Sequence, residues 1–303
     1  MAERDLPELQ LDRELFVRAL MPTLRGGGAA RLAARLELIE VPAETLLFRR
    51  AEPAEQFFFI IEGQVVMEAE GIPTWTFGDR SLVGVLDMMA EHGHRRTCRT
   101  TRPSRLLAGR SEAWLELLDE DVMLGQDAIY NFAERVYELE VRLGPQRPFE
   151  AVDAGPALTS PLAIHERTLA LRDTPLLRRA STQATASLAQ VCEEVQLAAG
   201  SELFAFDSAA RALNAVASGV IRLTHRSGAV VRVGHGGMLA EAAALSGQLG
   251  DYSARAETPA LVLRIREEDY YDQSDEHSDL TRAAIAHLAA EVERWMDIEP
   301  PRE

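Results

Sequence analysis

Two stretches of the chain carry residue types that recognise or repel an anion. The first, HGHRRTCRTTR at 92–102, gathers histidines and arginines, and a guanidinium beside other donors is a frequent partner of phosphate in proteins. The second, EAAALSGQLGDYSARA at 241–256, has a carboxylate followed by small residues, which allow a ligand to approach the backbone. It contains no cation before Arg255. The first stretch therefore offers cations to an anion, whereas the second has a carboxylate and lacks a nearby cation in its sequence.

Both stretches occupy equivalent places in an internal repeat. A shift of 156 residues aligns 32–114 with 188–270 without a gap, and fourteen of the 83 aligned pairs are identical. The identical pairs include turn residues, among them Gly63 with Gly219. Because glycine and proline mark turns, their agreement indicates a shared backbone geometry.

Each copy reads as closely spaced short strands followed by a helix. TLLF, FFFIIEG, QVVMEAEG, TWTFG and SRLLAGR in the first copy, and SELFAF, LNAVASG, VIRLTH, AVVRVG and ALVLRIR in the second, favour an antiparallel barrel or sandwich. The helix predicted at 114–143 has an apolar stripe, which fits packing on its own barrel or a dimer seam. We expect a first domain with N-terminal helices at 1–143, a Pro- and Gly-rich linker at 144–161 and a second domain at 162–303.

This order of elements resembles the cyclic nucleotide-binding domain family. LIEVPAETLLFRRAEPAEQFFFIIEGQVVM and VQLAAGSELFAFDSAARALNAVASGVIRLT are similar to its opening half, and ALSGQLGDYSARA is similar to its phosphate-binding loop. The resemblance implies a mainly β fold with flanking helices, built as two tandem antiparallel jelly-roll barrels, each followed by a helix. It also implies loops that supply a glutamate for the ribose 2′-hydroxyl, backbone N–H donors, and an arginine for the cyclic phosphate.

The second copy departs from this pattern at the arginine. Carried over residue by residue, the resemblance assigns Ala240 and Glu241 to the start of the loop, and Glu241 retains the carboxylate. Gly250 falls where the arginine belongs, and Asp251 follows it. A carboxylate about 5 Å from a phosphate costs about 3 kcal/mol at an effective dielectric of about 20, which is more than a hundredfold in affinity. We therefore expect the second loop to have lost its affinity for the ligand.

The first copy departs at the sugar. The shift places Gly84 and Val85 at the start of the loop, so the ribose hydroxyl finds no carboxylate. His94 takes the arginine position, and a slip of one residue makes Arg95 the phosphate partner with Arg96 beside it. The first loop is therefore compatible with a small anion.

Composition narrows the classes of function. The 303 residues carry a net charge of −16, which argues against a nucleic-acid partner. All 32 basic residues are arginine, so lysine Schiff-base chemistry and phosphate-loop lysines are excluded. No hydrolase, metalloprotease or dinucleotide motif is present, so we expect no enzymatic activity. The absence of a long apolar run and the acidic N-terminus predict a cytoplasmic protein without membrane insertion.

Metal and disulfide chemistry are not expected either. The two cysteines lie 94 residues apart without CxxC spacing. His92, His94 and Cys98 lie on one loop and fall short of a coordination set on their own. We therefore expect no cofactor, and a cyclic nucleotide is a ligand only under the alternative hypothesis given below.

Two functions remain as hypotheses. The first is a non-enzymatic regulatory protein whose ligand sites are degenerate and which acts through an unknown protein partner or through self-association. The alternative is a ligand-gated sensor that binds a cyclic nucleotide or another small anion, chiefly in the first domain. Gly250 and Val85, where the ligand pattern has an arginine and an acid, favour the first hypothesis, and the HGHRR cluster favours the second.

Overall fold

The repeat is reproduced strand by strand in the structure. The computed structural model describes residues 13–19, 27–144, 152–208, 211–248 and 250–300, apart from the side chain at position 119. The strands of the first copy are β1 (Glu37–Val41), β2 (Leu46–Phe48), β3 (Gln56–Glu62), β4 (Val65–Ala69), β5 (Ile72–Phe77), β6 (Ser81–Val83), β7 (Thr97–Thr100) and β8 (Ser104–Arg110). Those of the second copy are β9 (Glu193–Leu197), β10 (Glu202–Phe204), β11 (Ala212–Ser218), β12 (Ile221–His225), β13 (Val230–Val233), β14 (Met238–Leu239), β15 (Tyr252–Ala256) and β16 (Ala260–Arg266).

The helices also follow the repeat. They are α1 (residues 13–19), α2 (Gly28–Ala34), α3 (Val85–Met89), α4 (Ser111–Glu120), α5 (Val122–Leu143), α6 (Ile164–Arg172), α7 (Thr182–Val191), α8 (Glu241–Leu245), α9 (Glu267–Glu276) and α10 (Ser278–Ile298). Helices α8, α9 and α10 begin 156 residues after α3, α4 and α5, as the sequence shift predicts.

Each copy is an antiparallel β-roll made of two four-stranded sheets. The strand orders are β1-β8-β3-β6 and β2-β7-β4-β5 in the first copy, and β9-β16-β11-β14 and β10-β15-β12-β13 in the second. All of the strand pairs are antiparallel. The predicted fold class is therefore confirmed, with two facing sheets in each roll rather than one closed barrel.

Strand β3 shows why its sequence is apolar on both faces. Phe58 and Ile60 point into the core of the first roll, and the alternate residues Phe57 and Phe59 are buried on the opposite face. There the ring of Phe59 meets that of Phe16 in α1, with centroids 6.4 Å apart. Because successive side chains of a strand point to opposite faces, four consecutive buried apolar residues fit a strand covered on both sides.

The chain divides into two compact units. The first contains the described residues of 1–128 and of 289–303, and the second those of 129–288. Helix α10 therefore contributes its residues from Ala289 onward to the first unit. Of the predicted N-terminal helices and linker, residues 1–12, 20–26 and 145–151 lie outside the described residues.

The apolar stripe of α5 is largely buried within the chain. Ile129, Val136 and Leu139, which belong to the second unit, are each at most 3% exposed. This part of the stripe is therefore not available as a dimer seam. Among the described helices, none combines the length and the hydropathy needed to span a bilayer.

Candidate functional site

The two predicted loops follow equivalent strands. Helix α3 begins at Val85 after Gly84, whose φ is +82°, and α8 begins at Glu241 after Ala240, whose φ is +51°. A left-handed conformation is readily adopted by glycine and strained in alanine. A Cβ on Gly84 would also lie 2.8 Å from the backbone oxygen of Gln56. Gly84 and Val85 in the first copy therefore lie at the same point of the fold as Ala240 and Glu241 in the second, as the sequence alignment predicts.

His94 is a buried residue that shapes the first loop. Its ring stacks on that of Phe48 with centroids 3.7 Å apart, and its Nδ1 lies 3.0 Å from Oδ2 of Asp87. The other oxygen of Asp87 accepts a hydrogen bond from the backbone N–H of Arg95 at 3.1 Å. Since His94 is only 2% exposed, its imidazole supports the loop and does not face solvent.

Arg95 and Arg96 both bind the carboxylate of Asp297 in α10. Arg95 Nη2 lies 2.6 Å from Oδ2 of Asp297, and Arg96 Nη2 donates to Oδ1. Arg96 is fully buried, with its guanidinium carbon 3.5 Å from the ring centroid of Trp75 and its Nε donating to the carbonyl of Pro73 at 3.1 Å. The two arginines that the sequence analysis assigns to an external anion are therefore already paired with a carboxylate of the protein.

The same turn of α10 covers the interior of the first roll. Met296 packs against the core cluster that contains Phe48, Phe58 and Trp75. Residues 296 and 297 therefore bring one apolar side chain to the core of the first roll and one anionic side chain to Arg95 and Arg96.

A second acidic contact joins α3 to α10. Asp87 and Glu293 are both buried and share a hydrogen bond. His92 Nε2 lies 2.9 Å from Oε2 of Glu293, and His92 Nδ1 donates to the carbonyl of Gly93 at 2.9 Å. Burial and the neighbouring Asp87 raise the pKa of Glu293. Although burial opposes it, hydrogen bonds within the loop lower the pKa of Asp87.

An open groove of about 400 Å³ lies beside His92. Its lining residues are Ala51, Pro53, Ala54, Glu55, Met88, Glu91, His92 and Gly93. The side chain of His92 is 32% exposed, whereas those of Asp87 and Glu293 are at most 5% exposed. Solvent therefore reaches this acidic cluster from the side of the imidazole.

In the second loop, Asp251 is neutralised by other residues of the second unit. Its Oδ2 accepts from the hydroxyl of Tyr137 at 2.8 Å, and its Oδ1 accepts from Nε of Arg226 at 3.0 Å. Despite burial, these two bonds lower the pKa of Asp251, and burial with the bond to Asp251 raises the pKa of Tyr137 to about 12. The loop sequence itself contains no cation before Arg255, but the β12–β13 turn brings Arg226 to Asp251. Arg226 is shared with a second carboxylate, that of Asp207.

The remaining groups of the second loop are also engaged. The carbonyl of Gly250 accepts a hydrogen bond from the N–H of Asp207 at 3.1 Å. The N–H of Gly250 donates to the carbonyl of Ser208 at 3.4 Å. Glu241 Oε1 lies 3.4 Å from Nε2 of His287. The polar groups of Gly250 and Glu241 are therefore paired with other residues of the same chain.

Sequence reasoning missed Asp87, Glu293 and Asp297. Asp87 interrupts the apolar run VLDMM of α3, which is a signal of a buried polar contact. Glu293 and Asp297 are four residues apart, so they lie on one face of α10. Their partners are about 200 residues away in sequence, which local patterns do not reveal.

A domain model described as "Cyclic nucleotide-binding domain" matches residues 38–121 and 194–277. The two matches cover more than half of the chain and are offset by 156 residues, as the repeat is. No curated protein sequence matches the chain significantly.

Several solved structures are similar to the chain. A mutant regulatory subunit of a cAMP-independent protein kinase A from Trypanosoma brucei, bound to cAMP, is 14% identical with a TM-score of 0.36, covering 92% of this chain and 91% of that one. The regulatory domain of Toxoplasma gondii protein kinase A with cAMP is 11% identical with a TM-score of 0.35, covering 90% and 94%. A putative cyclic nucleotide binding protein from Ruegeria pomeroyi is 21% identical with a TM-score of 0.39, covering 47% and 66%.

Proposed function

The chain belongs to the cyclic nucleotide-binding domain family, in two tandem copies, and on this premise we propose that it is a non-enzymatic regulatory protein that acts through protein contacts. In this proposal neither copy responds to a cyclic nucleotide. In both loops, the charged groups are paired with other side chains of the protein.

The pairing of Arg95 and Arg96 with Asp297 carries the proposal. A buried phosphate requires a cation and hydrogen-bond donors in place of its lost hydration. Both guanidinium groups of the first loop already meet the Asp297 carboxylate, and Met296 packs against the neighbouring core. A cyclic nucleotide would therefore have to displace this turn of α10 before its phosphate could bind both arginines.

The second loop supports the same conclusion by a different route. Asp251 is anionic, and Arg226, which neutralises it, is shared with Asp207. A phosphate arriving at this loop would meet two carboxylates around one half-exposed guanidinium. Repulsion between like charges at this distance disfavours binding.

The sensor hypothesis remains the second candidate because Arg95 is accessible. Its side chain is 32% exposed, so an anion in solution can reach one of the two guanidinium groups. In this case Val85 would still leave the ribose hydroxyl without an acceptor, and the preferred ligand would be an anion without that group.

Calorimetric titration of the full chain with cyclic AMP and cyclic GMP tests the proposal. We expect no saturable heat with either nucleotide. The matched variants are Arg95→Ala and Arg99→Ala, since Arg99 is 45% exposed on β7 and its nearest carboxylate oxygens are 3.9 and 4.0 Å away. Saturable binding in the micromolar range that disappears in Arg95→Ala and persists in Arg99→Ala would establish the sensor instead.

Light scattering on the purified chain then distinguishes the two kinds of partner. A concentration-dependent dimer would identify a second copy as the partner. A monomer at all concentrations would direct the search to a different protein.

A further inference from the structure

We propose that Asp87, His92 and Glu293 form a binding site for a divalent transition-metal ion, with Zn²⁺ as the expected occupant. One imidazole nitrogen and two carboxylate oxygens lie within 4.8 Å of one another. Open zinc sites combine three protein ligands, drawn from His, Cys and Asp or Glu, with water in the fourth position. This set differs from the group of His92, His94 and Cys98 that the sequence offers, because its third ligand comes from α10.

The imidazole of His92 is oriented for coordination. Its Nδ1 donates to the carbonyl of Gly93 at 2.9 Å, so in the neutral ring the lone pair lies on Nε2. Metal-binding histidines commonly donate their second N–H to a carbonyl or carboxylate, which fixes the ring. Nε2 faces Oε2 of Glu293 at 2.9 Å, and two acceptors so close require a proton or a cation between them.

Carboxyl groups outnumber guanidinium groups around this cluster. The cluster contains three carboxyl groups and two guanidinium groups. The carboxyl groups belong to Asp87, Glu293 and Asp297, and the guanidinium groups to Arg95 and Arg96. Asp87 and Glu293 share a hydrogen bond, so one proton lies between these two carboxyl groups, and a bound metal ion would take its place. Arg95 is the competing cation, but its Nη1 is 3.5 Å from Glu293 and its shorter contact, 2.6 Å, is to Asp297.

The groove beside His92 provides a path for the ion and its water ligand. The side chain of His92 is partly exposed, and the residues that line the groove include Glu55 and Glu91. An acidic lining raises the local concentration of cations. Magnesium and calcium prefer sets of oxygen ligands, so the imidazole favours Zn²⁺ over both.

Titration of the metal-free full chain with Zn²⁺ tests the site. We expect one Zn²⁺ to bind per chain. Its affinity should fall at least about tenfold in Glu293→Gln and in His92→Gln, because replacing residues that only support a metal ligand already costs this much. The control is His165→Gln, because His165 is exposed on α6 and should leave the affinity unchanged. Thermal unfolding in a chelator shows whether each variant is folded.

A second measurement reports on the structure. Zn²⁺ bound between α3 and α10 should slow hydrogen exchange of the amides of 289–298 in the wild type and not in Glu293→Gln. Equal affinity of the wild type and Glu293→Gln would overturn the proposal, and protons alone would then hold the cluster. An equal loss in His165→Gln would also overturn it, since it would identify binding to exposed histidines.

Discussion

Asp251 shows at the scale of one residue how the second loop has changed its charge. Its carboxylate follows the position where the family pattern has an arginine, and it accepts hydrogen bonds from Tyr137 and Arg226. The carboxylate therefore contributes to stability inside the second unit. Its role is measurable, because its pKa is lowered from the ordinary value of 3.8.

Replacement of Asp251 by asparagine should give a loss of stability that depends on pH. A carboxylate whose folded pKa is depressed contributes stability above its unfolded pKa and loses that contribution as pH falls through the folded pKa. The variant should therefore be less stable than the wild type at pH 7, and the difference should shrink below a pH of about 4. Urea unfolding over a pH series measures the difference.

The control for this series is Glu202→Gln, an exposed carboxylate paired with Arg255 at 3.2 Å. An exposed pair is worth little, so this variant should change the free energy of unfolding by less than about 1 kcal/mol at each pH. A penalty for Asp251→Asn that stayed constant down to pH 3 would show that the carboxylate charge plays no part.

At the scale of elements, Gly219 fixes the turn between β11 and β12. Its φ is +85°, and a Cβ there would lie 2.4 Å from the backbone oxygen of Pro259. Gly63, its counterpart in the first copy, has a φ of +133° and equally little space beside Ser104. The matched glycines that indicate the repeat in the sequence thus mark places where only glycine fits.

Gly219→Ala should destabilise the chain more than Gly228→Ala does. Gly228 has a nearly equal φ of +87°, but nothing lies within 4 Å of its Cβ position. It therefore measures the conformational cost alone, about 1 kcal/mol. Gly219→Ala adds a clash with backbone, and we expect a total of about 3 kcal/mol. Equal losses of unfolding free energy in the two variants would show that the close approach is relieved without cost.

The repeat could be predicted from sequence because its signals are local. Apolar alternation, turn glycines and the offset of 156 residues locate β9–β12 and β16 with respect to β1–β4 and β8. The contact of Asp297 with Arg95 and Arg96 could not be predicted in the same way. Nothing in the helical periodicity of 289–298 specifies which loop its acidic face will meet, and that contact decides how the first loop is used.

At the scale of the whole molecule, the basic cluster at 92–102 is the main exception to a net charge of −16. The structure pairs its arginines with carboxylates. Arg95 and Arg96 contact Asp297, Arg99 lies near Glu44 and Glu68, and Arg102 contacts Asp79. The cluster is therefore not a separate cationic surface.

We accordingly expect no binding to nucleic acid by the full chain. Affinity for duplex DNA comes from arginines and lysines that replace counterions on phosphates, and each such contact steepens the dependence on salt. A phosphate that met the basic cluster would have to compete with these carboxylates in a strongly anionic protein. Fluorescence anisotropy with a labelled duplex should show no binding at about 50 mM salt, where this electrostatic attraction is strong. Micromolar binding that weakens steeply with added salt would mean that the carboxylates release these arginines, and the same release would expose Arg95 and Arg96 to a small anion.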